Sequence, residues 1–222
     1  MYEPIVPILE KGLKEVEPCR IVDLASGGGG GWLWLNAKLK ESLPKVKITL
    51  TDYFPNLEAF KHTQQKSDNF DFIKDSIDAR KVPQQLIGLR TQFLSLHHFK
   101  PEDARKILQN AVDSEQPIAI FEAQERSFAS LLAMFFSPLT VILATPLIRP
   151  FRWGRLLFTY LIPIVPLFVW WDGIVSALRT YSVEEMNHLI QSLNNTGNYD
   201  WETGRIKSGP GVILYLLGKK KL

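Results

Sequence analysis

The stretch Ile21-Val22-Asp23-Leu24-Ala25-Ser26-Gly27-Gly28-Gly29-Gly30-Gly31-Trp32 constrains the fold more than any other part of this chain. A short apolar run closes on an acid, five glycines follow, and Trp32-Leu33-Trp34-Leu35-Asn36-Ala37-Lys38-Leu39-Lys40 then reads as a helix. The segment is a buried strand, a turn with few side chains in the way, and a helix whose N-terminus points into that turn. Glycine admits positive φ and lets a ligand approach the main chain closely. The free N–H groups of a helix start offer hydrogen bonds to an acceptor. The combination is a cradle for a nucleotide-type cofactor.

The spacing narrows the cofactor. A dinucleotide fingerprint G-x-G-x-x-G ends on a glycine that packs helix against strand. Counted from Gly27 that place falls on Trp32, and counted from Gly28 on Leu33. A phosphate-binding loop of the G-K-[ST] type needs a lysine that does not appear before Lys38. Asp23, ahead of the glycines, would repel a pyrophosphate and attract a cationic amino or sulfonium group. These residues resemble motif I of the class I S-adenosylmethionine-dependent methyltransferases, D-x-G-x-G-x-G, with Ala25 in place of the first glycine.

Three further segments extend that reading. Val46-Lys47-Ile48-Thr49-Leu50-Thr51-Asp52 alternates and ends in an acid about twenty-five residues beyond the first glycines, the spacing of a ribose-binding carboxylate. Phe70 to Ile73 forms a third strand, and Asp78-Ala79-Arg80-Lys81-Val82-Pro83 resembles the D-A-x-x-L-P pattern after strand three of these methyltransferases. A fourth strand ends in Ser95-Leu96-His97-His98, similar to the L-H-H tip of small-molecule members. The resemblance implies S-adenosylmethionine as cofactor and S-adenosylhomocysteine as product. It places Asp23, Ala25, Ser26, Gly27 and Gly29 around the methionine part, Asp52 and Tyr53 at the ribose, Asp78 and Ala79 at the adenine, and Ser95 and Leu96 on the same wall. His97 and His98 are expected to point to opposite faces of a strand. No metal site is expected, because no second cluster of ligand residues accompanies them.

Pro117 to Ala123 gives strand five, and 199–206 with 211–217, joined by 207–210, give a closing antiparallel pair. The expected fold is therefore a doubly wound, Rossmann-like α/β sheet of seven strands, with a leading helix over 2–18. At 222 residues, 45% hydrophobic and 22% charged, the chain suits one domain. A net charge of +3 without a basic aromatic stripe gives no support for nucleic-acid binding. The single Cys19 excludes an internal disulfide, and Met1-Tyr2-Glu3-Pro4 lacks the basic start of a secretory signal, so a cytoplasmic setting is expected.

One segment exceeds the minimal fold. No charged residue occurs from Ser127 to Ile148, and a second uncharged run spans Leu156 to Trp171. Arg149, Arg152, Trp153 and Arg155 lie between them, a composition suited to a membrane interface. A transmembrane hairpin is disfavoured by Pro138, Pro146, Pro163 and Pro166 and by the short second run. Crossovers leaving the carboxyl ends of strands supply lids, so 127–178 is expected as a helical hydrophobic cap, with peripheral membrane contact left open. Asp172, if buried, needs a partner; Arg179 and the acceptor are equal alternatives. Ser182 and Glu185 suit a capping box. The expected activity is methyl transfer to a small or lipid-like hydrophobic acceptor, with His97, His98 and Asp172 as candidate bases. The alternative is a non-catalytic cofactor-binding or membrane-associated interaction protein.

Overall fold

Strands buried on both faces of a parallel sheet read as near-continuous apolar runs. The central strands here keep that pattern at Ile21–Val22 and Ile118–Phe121, while Asp23, Arg90, Thr91 and Gln92 are buried polar exceptions. In the computed structural model, which describes residues 3–14, 16–29, 31–148, 151–209 and 211–221, these strands stand between two layers of helix. Tyr2, Gly30, Arg149 and Pro210 lie outside the described residues. The chain divides into two compact units, Met1–Ala123 with Tyr181–Leu222, and Gln124–Thr180.

In the first unit, α1 (Val6–Leu13) is shorter than the expected leading helix. Pro7 has no N–H to donate and so sits in the first turn. Ile5, Ile8, Leu9 and Leu13 are buried as their spacing implied. There follow β1 (Arg20–Asp23), α2 (Trp32–Ser42), β2 (Lys47–Leu50), α3 (Leu57–Gln64, capped by Asn56), β3 (Phe70–Phe72), β4 (Leu89–Phe93), α4 (Pro101–Asp113) and β5 (Ile118–Glu122). Between β3 and β4 the chain makes a single helical turn, Ala79–Lys81.

The second unit contains α5 (Phe128–Phe135), α6 (Ser137–Ala144), α7 (Trp153–Leu156) and α8 (Ile164–Arg179). It begins three residues before and ends two after the expected insertion. Pro138 lies in the first turn of α6, Pro163 precedes α8, and Pro166 lies in its first turn. These are places where a missing N–H costs no intrahelical bond. No single helix among the described residues is long and apolar enough to cross a membrane, but two bent helix pairs meet that criterion together.

The chain returns to the first unit through α9 (Val183–Gln191), β6 (Tyr199–Ser208) and β7 (Gly211–Lys220). Ser182 and Glu185 form the reciprocal capping box at the start of α9. The last two strands pair from Tyr199↔Lys220 to Ser208↔Gly211, so the turn between them is tighter than the expected 207–210 loop.

The sheet order is β3-β2-β1-β4-β5-β7-β6, parallel through β5, with β7 antiparallel to β5 and β6. Alternate residues divide between two cores. Val22, Ile118, Ile120, Leu214 and Leu216 pack with α4 and α9, while Ile21, Ala119, Phe121, Ile213 and Leu217 pack with α1 and α2. The chain thus has the expected doubly wound seven-stranded sheet with a terminal antiparallel pair. Its switch point lies between β1 and β4, where connections leave in opposite directions and a crevice opens at the carboxyl ends.

Candidate functional site

The site grows from the register of three strands. Asp23 ends β1 opposite Leu50 of β2 and Thr91 of β4. Its side chain is almost completely buried, and one carboxyl oxygen accepts the Thr91 hydroxyl at 2.7 Å. Among the described residues it makes no ion pair. Burial pushes its pKa up to about 6, partly offset by the Ser26 and Thr91 hydroxyls, while the Asp52 charge pushes the same way as burial. A buried carboxyl with this much unmet charge is a receptor for a cation.

The loop after β1 is shaped by main-chain bonds. Ser26 N–H donates to Thr51 O at 3.0 Å, and the Ser26 hydroxyl donates to Asp23 O at 3.0 Å. Ala25, Gly27 and Gly29 all take positive φ, at 58°, 54° and 71°. The alanine in place of the first glycine is thus a strained substitution, since an L side chain in this region costs roughly 1–2 kcal/mol. At Gly29 a Cβ would meet Thr63 Oγ1 at 3.0 Å, whereas at Gly27 and Gly28 it would enter open space. The loop delivers the chain to α2, whose N-terminus carries no side-chain cap.

Asp52 lies just beyond β2 and is half-buried. Its two oxygens accept the N–H groups of Gly27 and Phe54, each at 2.8 Å. The carboxylate is thereby fixed, with lone pairs left for two hydroxyls.

Two cavities line this edge of the first unit and share Ala25. The smaller, about 180 Å³, is walled by Asp23, Ser26, Gly29, Gly31, Trp32 and Leu94, among others. The Trp32 indole N–H is buried there without a hydrogen bond of good geometry, yet it stands close enough to Asp23 to help hold that carboxyl's pKa down. The larger, about 690 Å³, is lined by Asp52, Tyr53, Asp78, Ala79, Ser95 and His98, with Arg80 and Asp103 at its wall. The Ser95 hydroxyl is also buried and unpaired. Each cavity therefore offers a buried polar group short of a well-formed hydrogen bond, beside a carboxylate. The residues suit an amino-acid zwitterion in the first cavity and a nucleoside in the second, so they fit the S-adenosylmethionine that the sequence resemblance implies.

Asp78 is not simply exposed to the larger cavity. Its carboxylate caps the Ala79–Lys81 turn through Arg80 N–H at 2.9 Å and grips the Arg80 guanidinium at 2.8–3.2 Å. Arg80 also reaches Asp103 at 3.3 Å. Hydrogen bonding to Arg80 holds the Asp78 carboxyl below its usual range.

His97 and His98 do not alternate across a strand. They occupy a tight helical turn, Leu96–His98, with ring centroids 4.2 Å apart, because β4 already ends at Phe93. His97 is buried and its Nδ1 lies 2.8 Å from Glu122, while His98 is exposed and lines the larger cavity. Leu96 N–H and His97 N–H donate to the other Glu122 oxygen at 2.8 and 3.3 Å, so the acid at the end of β5 organises the whole turn. Sequence reading passed over Glu122, though an acid closing an apolar strand is the signal that marked Asp23. It also passed over Trp32, Arg80 and Leu94, the last at φ 48° where β4 meets the smaller cavity. Asp172 is exposed on α8 and makes no ion pair with Arg179, so the burial cost that singled it out does not arise. Among the described residues no three His, Cys, Asp or Glu side chains are grouped to hold a metal ion.

No family model matches the chain, and no curated protein matches it in sequence. Solved structures do. An O-methyltransferase family protein from Burkholderia thailandensis superposes with a TM-score of 0.54 at 15% identity, over 99% of this chain and 56% of its own. Human N-acetylserotonin methyltransferase, solved with S-adenosylmethionine, gives 0.51 at 15% identity, over 92% and 48%. A Rhodobacter sphaeroides protein described among the Zn-dependent alcohol dehydrogenases gives 0.59 at 13% identity, over 99% and 90%. The chain spans about half the length of the methyltransferases it matches. With its sheet order and antiparallel seventh strand, it has the class I methyltransferase fold.

Proposed function

We propose that this chain is an S-adenosylmethionine-dependent methyltransferase acting on a small hydrophobic acceptor. The observation that carries the reading is the smaller cavity, where the buried Asp23 carboxyl, which makes no ion pair among the described residues, and the buried Trp32 indole N–H stand on one wall system with the uncapped start of α2. A carboxyl for an ammonium group, with N–H donors for a carboxylate, suits the amino-acid end of the cofactor. Asp52 would hold the ribose, and Asp78, Ala79 and Ser95 the adenine side of the larger cavity. The solved relative bound to S-adenosylmethionine supports this cofactor.

The cofactor supplies an activated methyl group on a sulfonium. The protein's task is alignment and exclusion of water. Asp23 would neutralise the ammonium, and the Gly27–Asp52 contact would fix the loop that holds the cofactor. His98 is placed on the larger cavity wall, so it is the histidine available to take a proton from an acceptor; His97 serves Glu122 instead. An apolar acceptor is favoured by the apolar second unit of the same chain, which also supports contact with a membrane surface.

Calorimetric titration with S-adenosylhomocysteine, with NADH as control, tests the cofactor. Binding of the first alone is expected. Binding of NADH alone, or of neither, overturns the reading. Turnover assays on apolar hydroxyl and acid acceptors then separate an enzyme from a cofactor-binding protein without activity.

A further inference from the structure

The unit Gln124–Thr180 is built inside out relative to a water-soluble helical domain. Of the 29 large apolar side chains exposed among the described residues, 22 belong to it. Neither α5 nor α6 has one buried residue, and neither carries a charge. Phe128, Leu143, Leu147, Trp153 and Leu161 are each more than three-quarters exposed. Apart from Pro166, the buried side chains of this segment are hydroxyl-bearing or small: Thr145, Thr159, Ser176, Ala177 and Thr180. Water-soluble proteins rarely expose contiguous apolar patches beyond a few hundred Å². Helices packed in lipid place small and hydroxyl residues at their contacts and apolar ones outside.

The polar groups follow the same logic. The Thr145 hydroxyl donates to Val141 O at 2.7 Å and stands 3.4 Å from the Thr159 hydroxyl. The Tyr160 hydroxyl donates to Ile142 O, and the Thr180 hydroxyl to Ser176 O. Only Ser137 Oγ is buried without a partner in this unit among the described residues. Gly173 of α8 lies where a Cβ would meet Met134 of α5, so a small residue permits that crossing. Satisfying polar groups internally is what a hydrocarbon surrounding demands.

Charge identifies the surface that covers this unit. Its formal charge is +3, from five arginines against Glu125 and Asp172. Arg152 is exposed beside Trp153, and Arg155 donates to Ile148 O at 3.0 Å, where the first bent helix pair ends. Arginine with exposed tryptophan between two uncharged runs suits anionic headgroups. The geometry also sets the depth. The second uncharged run has 16 positions, about 24 Å if straight, against a hydrocarbon core of about 30 Å. It belongs to a helix pair bent by 75°, and the first pair is bent by 43°. We infer that residues 124–180 seat this protein in a single leaflet of an anionic bilayer, with the Arg152–Arg155 junction at the headgroups and no crossing of the membrane. This holds or falls independently of the methyltransferase reading.

The test is flotation of the full-length protein with phosphatidylcholine vesicles and with vesicles containing 30% phosphatidylglycerol. Binding is expected to favour the anionic vesicles and to weaken with salt. Arg152→Glu with Arg155→Glu should reduce it about ten-fold or more, and Leu143→Asp with Leu147→Asp should do the same at unchanged far-UV circular dichroism. With vesicles formed in the presence of a protease-resistant lumen marker, external protease should reach the 148–155 junction from the side of addition. The inference is overturned by equal binding to both vesicle types, by binding insensitive to all four substitutions, by a junction protected on the lumenal side, or by a lipid-free dimer that does not partition into vesicles.

Discussion

The Asp52 carboxylate accepts the Gly27 backbone N–H at 2.8 Å, tying the end of β2 to the glycine loop that follows β1. Its second oxygen accepts Phe54 N–H at the same distance, so one side chain orients both loops that border the larger cavity. If the ribose rests on this carboxylate, Asp52→Ala removes two acceptors for hydroxyls and releases the Gly27 loop. Affinity for S-adenosylhomocysteine should fall by about ten-fold or more, because charge-assisted hydrogen bonds are worth roughly 1.5–3 kcal/mol. The two freed N–H groups can turn to water, so the melting temperature should move by no more than a few degrees. Calorimetry of both kinds checks the pair of outcomes, and unchanged affinity removes the ribose assignment.

Asp23 sets a stability profile with a definite sign. Its pKa rises from 3.8 to about 6 on folding, chiefly through burial, so the native state holds the proton more tightly than the unfolded state. The ionised form therefore costs the fold stability above pH 6, and that cost disappears as pH falls from 6 towards 4. Asp23→Asn keeps an acceptor for the Thr91 hydroxyl and removes the charge. It should stabilise the unliganded protein at pH 8 by on the order of 2 kcal/mol, with the gain gone by pH 4. Cofactor affinity at pH 8 should fall with the loss of the charge. Denaturant titrations across that pH range read the first effect, and a variant less stable than the parent at pH 8 would contradict it.

Glu122 carries a larger structural share than the histidines beside it. It is fully buried and receives Leu96 N–H, His97 N–H and His97 Nδ1. Glu122→Ala would strand those groups in the interior, at a cost of about 3–5 kcal/mol. Glu122→Gln should cost less, because one acceptor oxygen remains. Urea denaturation should rank parent, glutamine and alanine in that order. Equal stabilities would show that the turn is held by something else.

The sequence made some of this site legible because its signals are local. An acid closing an apolar run found Asp23, an acid closing an alternating run found Asp52, and the glycine string located the loop between them. The two-faced core was implied by strands apolar at every position, such as Ile118 to Phe121. What stayed hidden depends on distance in space. Glu122 reaches His97 across 25 residues of chain, and nothing near either residue announces the pair. The reach of β4 was misjudged because Leu94, at positive φ, ends the strand without a glycine to mark it. The Asp78–Arg80 pair is local, yet a carboxylate two residues before a guanidinium is too common to single out.

Gly27 and Gly29 separate a requirement of the ligand from a requirement of the fold. Both have positive φ, so alanine at either place is strained by roughly 1–2 kcal/mol. At Gly29 the added Cβ also meets Thr63 Oγ1 at 3.0 Å, with Leu50 behind it at 3.6 Å. At Gly27 it meets nothing within 4 Å and projects into open space. Gly29→Ala should therefore lose more stability than Gly27→Ala, and Thr63→Ala should recover part of the difference. Gly27→Val should remain folded while S-adenosylhomocysteine affinity falls by about ten-fold or more, since the side chain would occupy the room left for a ligand beside the main chain. Thermal melts and calorimetric titrations of the four variants decide it. If Gly27→Val binds as the parent does, the open space at Gly27 is not the cradle, and the glycine serves only the turn.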